Sequence, residues 1–200
     1  RANLIAELGS GNEWRRETAQ RLLVESGDKT LAPALTAFGL KATTAMGRVH
    51  ALWTQHGLKV TDWALVSAGL ADADPRVRAA ALRVSEGLVA GPHRAEVIAR
   101  WTALAASEAV PEVQLQLVLT MGEAKDLAVD LVAAALAHRA AEHIAIQDGF
   151  ISGLAGRELE NFAAVLKQPA AYSKTLPAAL LRCVFSERKP ERIEQALAII

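Results

Sequence analysis

Apolar residues recur every three or four positions along most of this chain, a spacing that places them on one face of an α-helix. The stretch DPRVRAAALRVSEGL has such a face, formed by Val77, Ala80, Ala81, Val84 and Leu88. The stretch PHRAEVIARWTALAA that follows has another, formed by Val97, Ile98, Trp101, Leu104 and Ala105. Because a single pair of helices cannot bury both faces, the pattern predicts helical hairpins that stack on neighbouring hairpins.

Similar pairs of amphipathic helices are predicted along the whole chain. The first helices of the pairs are expected within residues 14–25, 47–58, 74–88, 110–124, 141–155 and 176–185. The second helices are expected within residues 31–40, 61–70, 92–106, 126–138, 157–168 and 190–200. The positions taken as equivalent lie at intervals of 32, 28, 36 and 31 residues, a period typical of solenoids, and they are Glu17, Val49, Val77, Val113 and Ile144.

The sequence therefore predicts an all-α fold, a right-handed α-α superhelix of five to six HEAT-like hairpins. We expect ten to twelve helices, no sheet, and a single repeat domain over residues 1–200. The run from Val113 to Leu117 alternates apolar and polar residues as a strand does, but Pro111 and the repeat register favour a helix there. The residues SGNE (10–13) predict a Ser-x-x-Glu capping box before the first long helix.

The composition is typical of a folded helical protein and does not identify a ligand. Of the 200 residues, 52% are hydrophobic and only 4% are aromatic. Acidic and basic residues number 22 each, and this zero net charge favours neither nucleic acid nor an anionic membrane surface as a partner. No apolar run reaches the roughly 20 residues that a membrane-spanning helix needs, so no membrane insertion is expected.

Few residues have the spacing that metal binding or catalysis requires. Cys183 is the only cysteine, which excludes an internal disulfide, and its neighbours LLRCVF predict a buried side chain. The residues HRAAEH (138–143) do not match the zinc-peptidase motifs, and two histidines five positions apart lie about 140° apart on a helix. Motifs for dinucleotides, phosphate and haem attachment are absent, so we expect no cofactor, no metal and no catalytic residues.

The segment DPRVRAAA (74–81), with the pattern Asp-Pro-x-Val-Arg-x-Ala-Ala, resembles the first helix of a HEAT repeat of the phycobilisome-lyase-like kind. The likeness is closest in the third hairpin and weakest in the fifth and sixth. In the fourth hairpin Gln114 occupies the position where the pattern expects arginine. The resemblance implies that the first helices of the hairpins form an outer layer and the second helices an inner one.

A narrower resemblance covers residues 3 to about 125, including NLIAELGSGNEWRRETAQRLLVESGD and RVHALWTQHGL. This part is similar to the HEAT segment of large bacterial proteins that join a sugar-dehydrogenase-like β-propeller, a helical-repeat region and a c-type haem domain. Because redox chemistry in such proteins belongs to the flanking domains, the resemblance implies a spacer or docking platform in a periplasmic or exported parent. The start at Arg1 and the apolar end QALAII (195–200) also suggest a piece of a longer protein.

We therefore predict a non-catalytic protein-interaction or interdomain scaffold, whose partner is another protein or a flanking domain of the same chain, with no small-molecule substrate. Binding is expected to use side chains of the second helices, namely Asp62, Trp63, Arg94 and Arg100. If an aromatic residue is exposed on the inner face as a binding anchor, Trp63 is the choice, whereas Trp101 belongs to an apolar stripe and is expected in the core.

Arginines are frequent on the first helices and are expected to be solvated or to bridge adjacent hairpins. They are Arg15, Arg16, Arg21, Arg48, Arg76, Arg78 and Arg83. The alternative is a nucleic-acid-binding HEAT-like protein of the DNA glycosylase type, which would need a basic cleft with a tryptophan and a catalytic carboxylate facing a flipped base. The zero net charge argues against this alternative.

Overall fold

A computed structural model describes residues 2–167 and 175–200, which form helices joined by short loops with no strand among them. The thirteen α-helices in these residues are α1 (Ala2–Glu7), α2 (Glu13–Glu25), α3 (Ala32–Lys41), α4 (Ala45–Leu58), α5 (Trp63–Leu70), α6 (Pro75–Ser85), α7 (Arg94–Ser107), α8 (Pro111–Gly122), α9 (Leu127–Arg139), α10 (Ile144–Leu154), α11 (Glu158–Leu166), α12 (Thr175–Ser186) and α13 (Pro190–Ile199). Two short 3₁₀ helices are Lys29–Leu31 and Glu86–Leu88. None of the helices described is both long and apolar enough to cross a membrane.

The predicted all-α class is confirmed, and residues 2–167 and 175–200 contain one α-helix more than the ten to twelve expected. The additional helix is α1, which is too short for its periodicity to stand out, but which contributes Ile5 to the buried core. The alternating run after Pro111 lies in α8, as predicted, because Val113 and Leu117 share one buried helical face. The predicted helix end at Gln168 and the following Pro169 lie outside the described residues.

The chain divides into two compact units, residues 1–100 and 101–200, and the division falls within α7. In the first unit, α2 packs on α4 and α4 packs on α6, while α1 packs on α3 and α3 packs on α5. The two series also contact each other, α3 against α4 and α5 against α6. One apolar cluster of this unit consists of Ile5, Leu8, Ala19, Leu23, Leu35 and Leu58.

In the second unit, α8 packs closely on α10, and α9 packs on α11. Gly122 of α8 and Gly153 of α10 lie against each other where these two helices pack. A Cβ atom on Gly122 would lie 2.6 Å from the carbonyl oxygen of Gly153. Glycine at position 122 is therefore required by the backbone of the neighbouring helix.

One side-chain hydrogen bond recurs at the start of four helices and defines the repeat register. In α2, α4 and α6, the residue four positions after the N-cap is an arginine. Its side chain donates to the backbone carbonyl oxygen six residues before the arginine. In α8, Gln114 is at the same position and makes the same hydrogen bond. The four donors are Arg16, Arg48, Arg78 and Gln114, at N–O distances of 2.8, 3.0, 2.9 and 2.7 Å. The amide of Gln114 thus makes the hydrogen bond that arginine makes in the other hairpins.

This register corrects the sequence alignment of the hairpins. The equivalent donors lie at intervals of 32, 30 and 36 residues, so the alignment that paired Val49 with Val77 was wrong by two positions. Gly47, not Val49, occupies the buried position equivalent to Val77. The sequence alignment equated apolar residues of successive hairpins. It failed at Gly47 because glycine is not apolar in this sense and yet occupies a closely packed position.

The predicted capping box at residues 10–13 is also wrong. The N-cap of α2 is Asn12, whose side chain accepts a hydrogen bond from the backbone N–H of Arg15. The hydroxyl of Ser10 instead accepts from the backbone N–H of Asn12 at 3.2 Å. Asparagine and serine are both good N-caps, and the pattern alone does not decide which residue starts the helix.

Arg48 links adjacent hairpins, as predicted for some of these arginines. Its Nε and Nη2 donate to the two carboxylate oxygens of Asp72 at 2.6 and 3.0 Å, in addition to the bond from Nη1 to the carbonyl of Ala42. Both side chains are mostly buried. The pair therefore fixes the loop before α6 against the start of α4.

Replacing Arg48 by lysine is expected to lower the free energy of unfolding by about 1 kcal/mol, because lysine cannot make the three fixed bonds of the guanidinium group. Urea denaturation followed by circular dichroism measures the change. The matched control is Arg83→Lys, since Arg83 is largely exposed and its ion pair with Glu86 lies within one turn. An equal effect of the two substitutions would show that the Asp72 contact contributes nothing specific.

Candidate functional site

The predicted binding residues Asp62 and Trp63 lie at the start of α5. Asp62 is the N-cap, and its Oδ1 accepts hydrogen bonds from the backbone N–H groups of Ala64 and Leu65 at 2.9 and 3.3 Å. The backbone N–H of Asp62 donates to Oε1 of Gln55, which is buried in α4. The carboxylate of Asp62 thus stabilises the helix end, and the cap fixes the position of the neighbouring Trp63.

The indole of Trp63 stacks on the imidazole of His93, which directly precedes α7. The ring centroids are 5.8 Å apart and the planes are inclined by 19°. Trp63 is half-buried, and 41% of the His93 side chain is exposed. The two rings therefore form a partly exposed aromatic platform at the beginning of two second helices.

Arg94 adjoins this platform, whereas Arg100 points elsewhere. The Nη1 of Arg94 donates to the carbonyl of Val89 at 3.4 Å, which ties it to the loop before α7. Arg100 follows six residues later on the same helix, about 120° around the axis, and is exposed. The structure thus groups Asp62, Trp63 and Arg94 at neighbouring helix starts and leaves Arg100 on another side of α7.

His93 is the member of this cluster that sequence reasoning did not assign. In the sequence it is a single histidine after a proline, with no spacing that relates it to Trp63. The only indication in the sequence that the two residues meet is their position, because each lies at the beginning of a second helix and the two helices are consecutive. Residues at the same place in successive repeats become neighbours when the repeats pack side by side.

A groove between α2 and α4 is a second candidate surface, and sequence reasoning missed it. Its volume is about 610 Å³, and its lining includes Glu17, Gln20, Arg21, Glu25, His50, Trp53 and His56. At its base, the Nδ1 of His50 lies 2.6 Å from Oε1 of Gln20. The rings of Trp53 and His56 meet edge to face, with centroids 5.6 Å apart. We refer to this surface as the α2–α4 groove.

His50, at the base of this groove, is held in its neutral form mainly by burial. Burial, together with the positive charge of Arg16, lowers the pKa of His50 below its usual value. The neutral imidazole matches its contact with Gln20, in which Nδ1 donates to the amide oxygen. His50 is therefore a structural hydrogen-bond donor rather than a charged contact for a ligand.

Metal-ligating and nucleophilic groups do not form a site in the part of the chain that the structure describes. No three His, Cys, Asp or Glu side chains among residues 2–167 and 175–200 are placed to hold a metal ion. His138 lies in α9 and His143 precedes α10, so the HRAAEH residues span a loop as predicted. Cys183 is half-buried rather than buried, and burial together with the charge of Glu158 raises the pKa of its thiol, which makes it a weak nucleophile.

Trp101 is fully buried, which confirms its assignment to the core.

Arg76, on the exposed side of α6, pairs with the N-cap Asp74. Its Nε and Nη2 donate to the carboxylate at 3.0 and 2.7 Å, and its backbone N–H donates at 2.9 Å. These hydrogen bonds lower the pKa of Asp74 to about 2. Like Arg48, Arg76 therefore contacts its own chain.

The Asp74 pair leads to a prediction about pH. Because the folded pKa lies below the unfolded one, the interaction stabilises the protein fully above about pH 4 and is lost as the pH falls towards about 2. Titration of the Asp74 carboxyl carbon by NMR is expected to give a pKa of about 2. Arg76→Gln is expected to raise this pKa towards the usual aspartate value, and Arg83→Gln to leave it unchanged. A normal Asp74 pKa in the unmodified protein would contradict the geometry.

Comparison of the chain with protein-family models, with curated proteins and with solved structures finds no match.

Proposed function

We propose that this protein is a non-catalytic interaction module, a HEAT-like α-solenoid that binds a partner protein or a flanking domain of its own chain. The repeated donor at Arg16, Arg48, Arg78 and Gln114 supports the repeat architecture. The packing of first helices on first helices and second on second within each unit is consistent with stacked hairpins. In such an arrangement the second helices line an inner surface that is available to a partner.

The observation that carries the proposal is the aromatic platform of Trp63 and His93. A tryptophan held by a stacked ring and a capped helix start is presented at little conformational cost on binding. Tryptophan and arginine are the residues most enriched in the energetic centres of protein interfaces. Arg94 follows the platform at the start of α7 and binds the carbonyl of Val89, which holds the loop beside the two rings.

The nucleic-acid alternative is less well supported. Arg48, Arg76 and Arg83 all pair with carboxylates of the same chain, which reduces the positive charge available to phosphates. A DNA mobility shift at low salt is therefore expected to detect no complex with a short duplex. A complex that weakens steeply as salt rises would favour the nucleic-acid function instead.

Site-specific photo-crosslinking in the organism that makes the protein tests the proposal. A benzophenone amino acid in place of Trp63 is expected to form a covalent product with one reproducible protein or with a flanking domain. The matched control places the same amino acid at Phe185, an exposed aromatic of α12. Equal yields with the same products at both positions would argue that position 63 is not a specific binding surface.

A further inference from the structure

The α2–α4 groove presents a carboxylate without a partner. Glu17 lines the groove and forms no ion pair with any residue in the described ranges. Glu25, by contrast, is bound by Arg21, whose Nη1 lies 3.1 and 3.2 Å from its two carboxylate oxygens. The lining also contains Arg21 and Glu25, whose opposite charges pair with each other, so the remaining carboxylate is that of Glu17.

Aromatic rings stand in the same groove as this carboxylate. Trp53 is half-buried in the lining, and the ring of His56 meets it at 87°. Gly57 allows α2 and α4 to approach closely beside the groove, because a Cβ atom there would lie 2.7 Å from Cγ2 of Val24. A groove lined by a carboxylate and an indole is suited to a guanidinium group, which can pair with a carboxylate through two N–H groups and stack on an aromatic ring.

We propose that the α2–α4 groove is a docking site for an arginine side chain of a partner protein. The carboxylate of Glu17 suits a cation, and the indole of Trp53 in the same lining favours a planar cation over the compact ammonium group of lysine. Arginine is also enriched in the centres of protein interfaces, where lysine is depleted. This surface is formed by first helices and does not include Trp63, so it adds a second binding site to the function proposed above.

NMR titration of the whole chain with N-acetyl-arginine amide tests the proposal. We expect saturable shifts of the Trp53 indole N–H and the Gln20 side-chain amide, with no shift of the Trp63 indole. N-acetyl-lysine amide is expected to bind more weakly. Shifts that are absent, or spread evenly over the surface, would overturn the proposal, as would equal binding of the lysine compound.

Substitutions test the role of Glu17 directly. Glu17→Gln removes the charge from an exposed side chain and is expected to weaken N-acetyl-arginine amide binding about threefold, with unchanged urea denaturation. Glu160→Gln, which removes an exposed charge from α11, is expected to leave binding unchanged. Unaltered binding by Glu17→Gln would refute the site. Trp63→Ala is expected to retain this binding, so the result is independent of whether Trp63 binds a partner.

Discussion

Asp130→Ala is expected to lower the free energy of unfolding by about 3–5 kcal/mol, which would be the largest effect of any single substitution considered for this protein. The carboxylate of Asp130 is only 1% exposed and pairs with Arg157, whose Nε and Nη2 donate to its two oxygens at 2.9 and 3.1 Å. The amide of the buried Asn161 also donates to it, at 3.1 Å. Removing the carboxylate would leave the guanidinium and the amide without this partner in a mostly buried place.

Arg157 makes further contacts besides the pair with Asp130. The hydrogen bond to Asp130 raises the pKa of Arg157 above its usual value. The Nη2 of Arg157 donates further to the carbonyl oxygens of Gly122 and Gly153, at 3.0 and 3.2 Å. One guanidinium group thus joins α9 to the carboxyl-terminal ends of α8 and α10.

Two variants separate the loss of pairing from the loss of packing. The double variant Asp130→Leu/Arg157→Met is expected to lose less stability than Asp130→Ala, since it removes both charges and refills the volume. Asp148→Ala, at an exposed position of α10, is expected to change the free energy of unfolding by less than about 0.5 kcal/mol. Urea denaturation followed by circular dichroism measures all three. Equal losses for Asp130→Ala and Asp148→Ala would contradict a structural role for the buried pair.

Gly122→Ala is expected to destabilise the protein by about 1–3 kcal/mol, although alanine is the better helix former. The new methyl group would lie 2.6 Å from the carbonyl oxygen and 2.8 Å from the Cα atom of Gly153. Because both atoms belong to a backbone, α8 and α10 would have to move apart. Thermal denaturation should detect the change as a lower melting temperature.

Gly153→Ala is the matched control for this contact. A Cβ atom on Gly153 would lie 3.4 Å from the Cα atom of Gly122, which is an ordinary van der Waals distance. We therefore expect Gly153→Ala to be neutral or slightly stabilising, because it adds a helix-forming residue to α10. A greater loss of stability for Gly153→Ala than for Gly122→Ala would contradict the close approach of α8 and α10 at Gly122.

The helices of this protein were predictable from the sequence because helix formation depends on local information. The spacing of Val77, Ala80 and Val84, and the prolines that begin α6, α8 and α13, indicate helices without reference to any distant residue. For the same reason the burial of Trp101 was predictable from its stripe. Local information also has a limit, since α1 is too short for a periodic signal.

The sequence by itself thus determined the helical class and most of the helix positions, whereas the binding role of Asp62, Trp63 and Arg94 stays a prediction. Only the tertiary structure decided which side chains meet: His93 with Trp63, His50 with Gln20, and Arg157 with Asp130. These partners come from different repeats, and their contact depends on how far each helix is rotated and shifted against the next. That rotation is set by close packing at positions such as Gly47 and Gly122, where the absence of a side chain leaves no hydrophobic pattern to read.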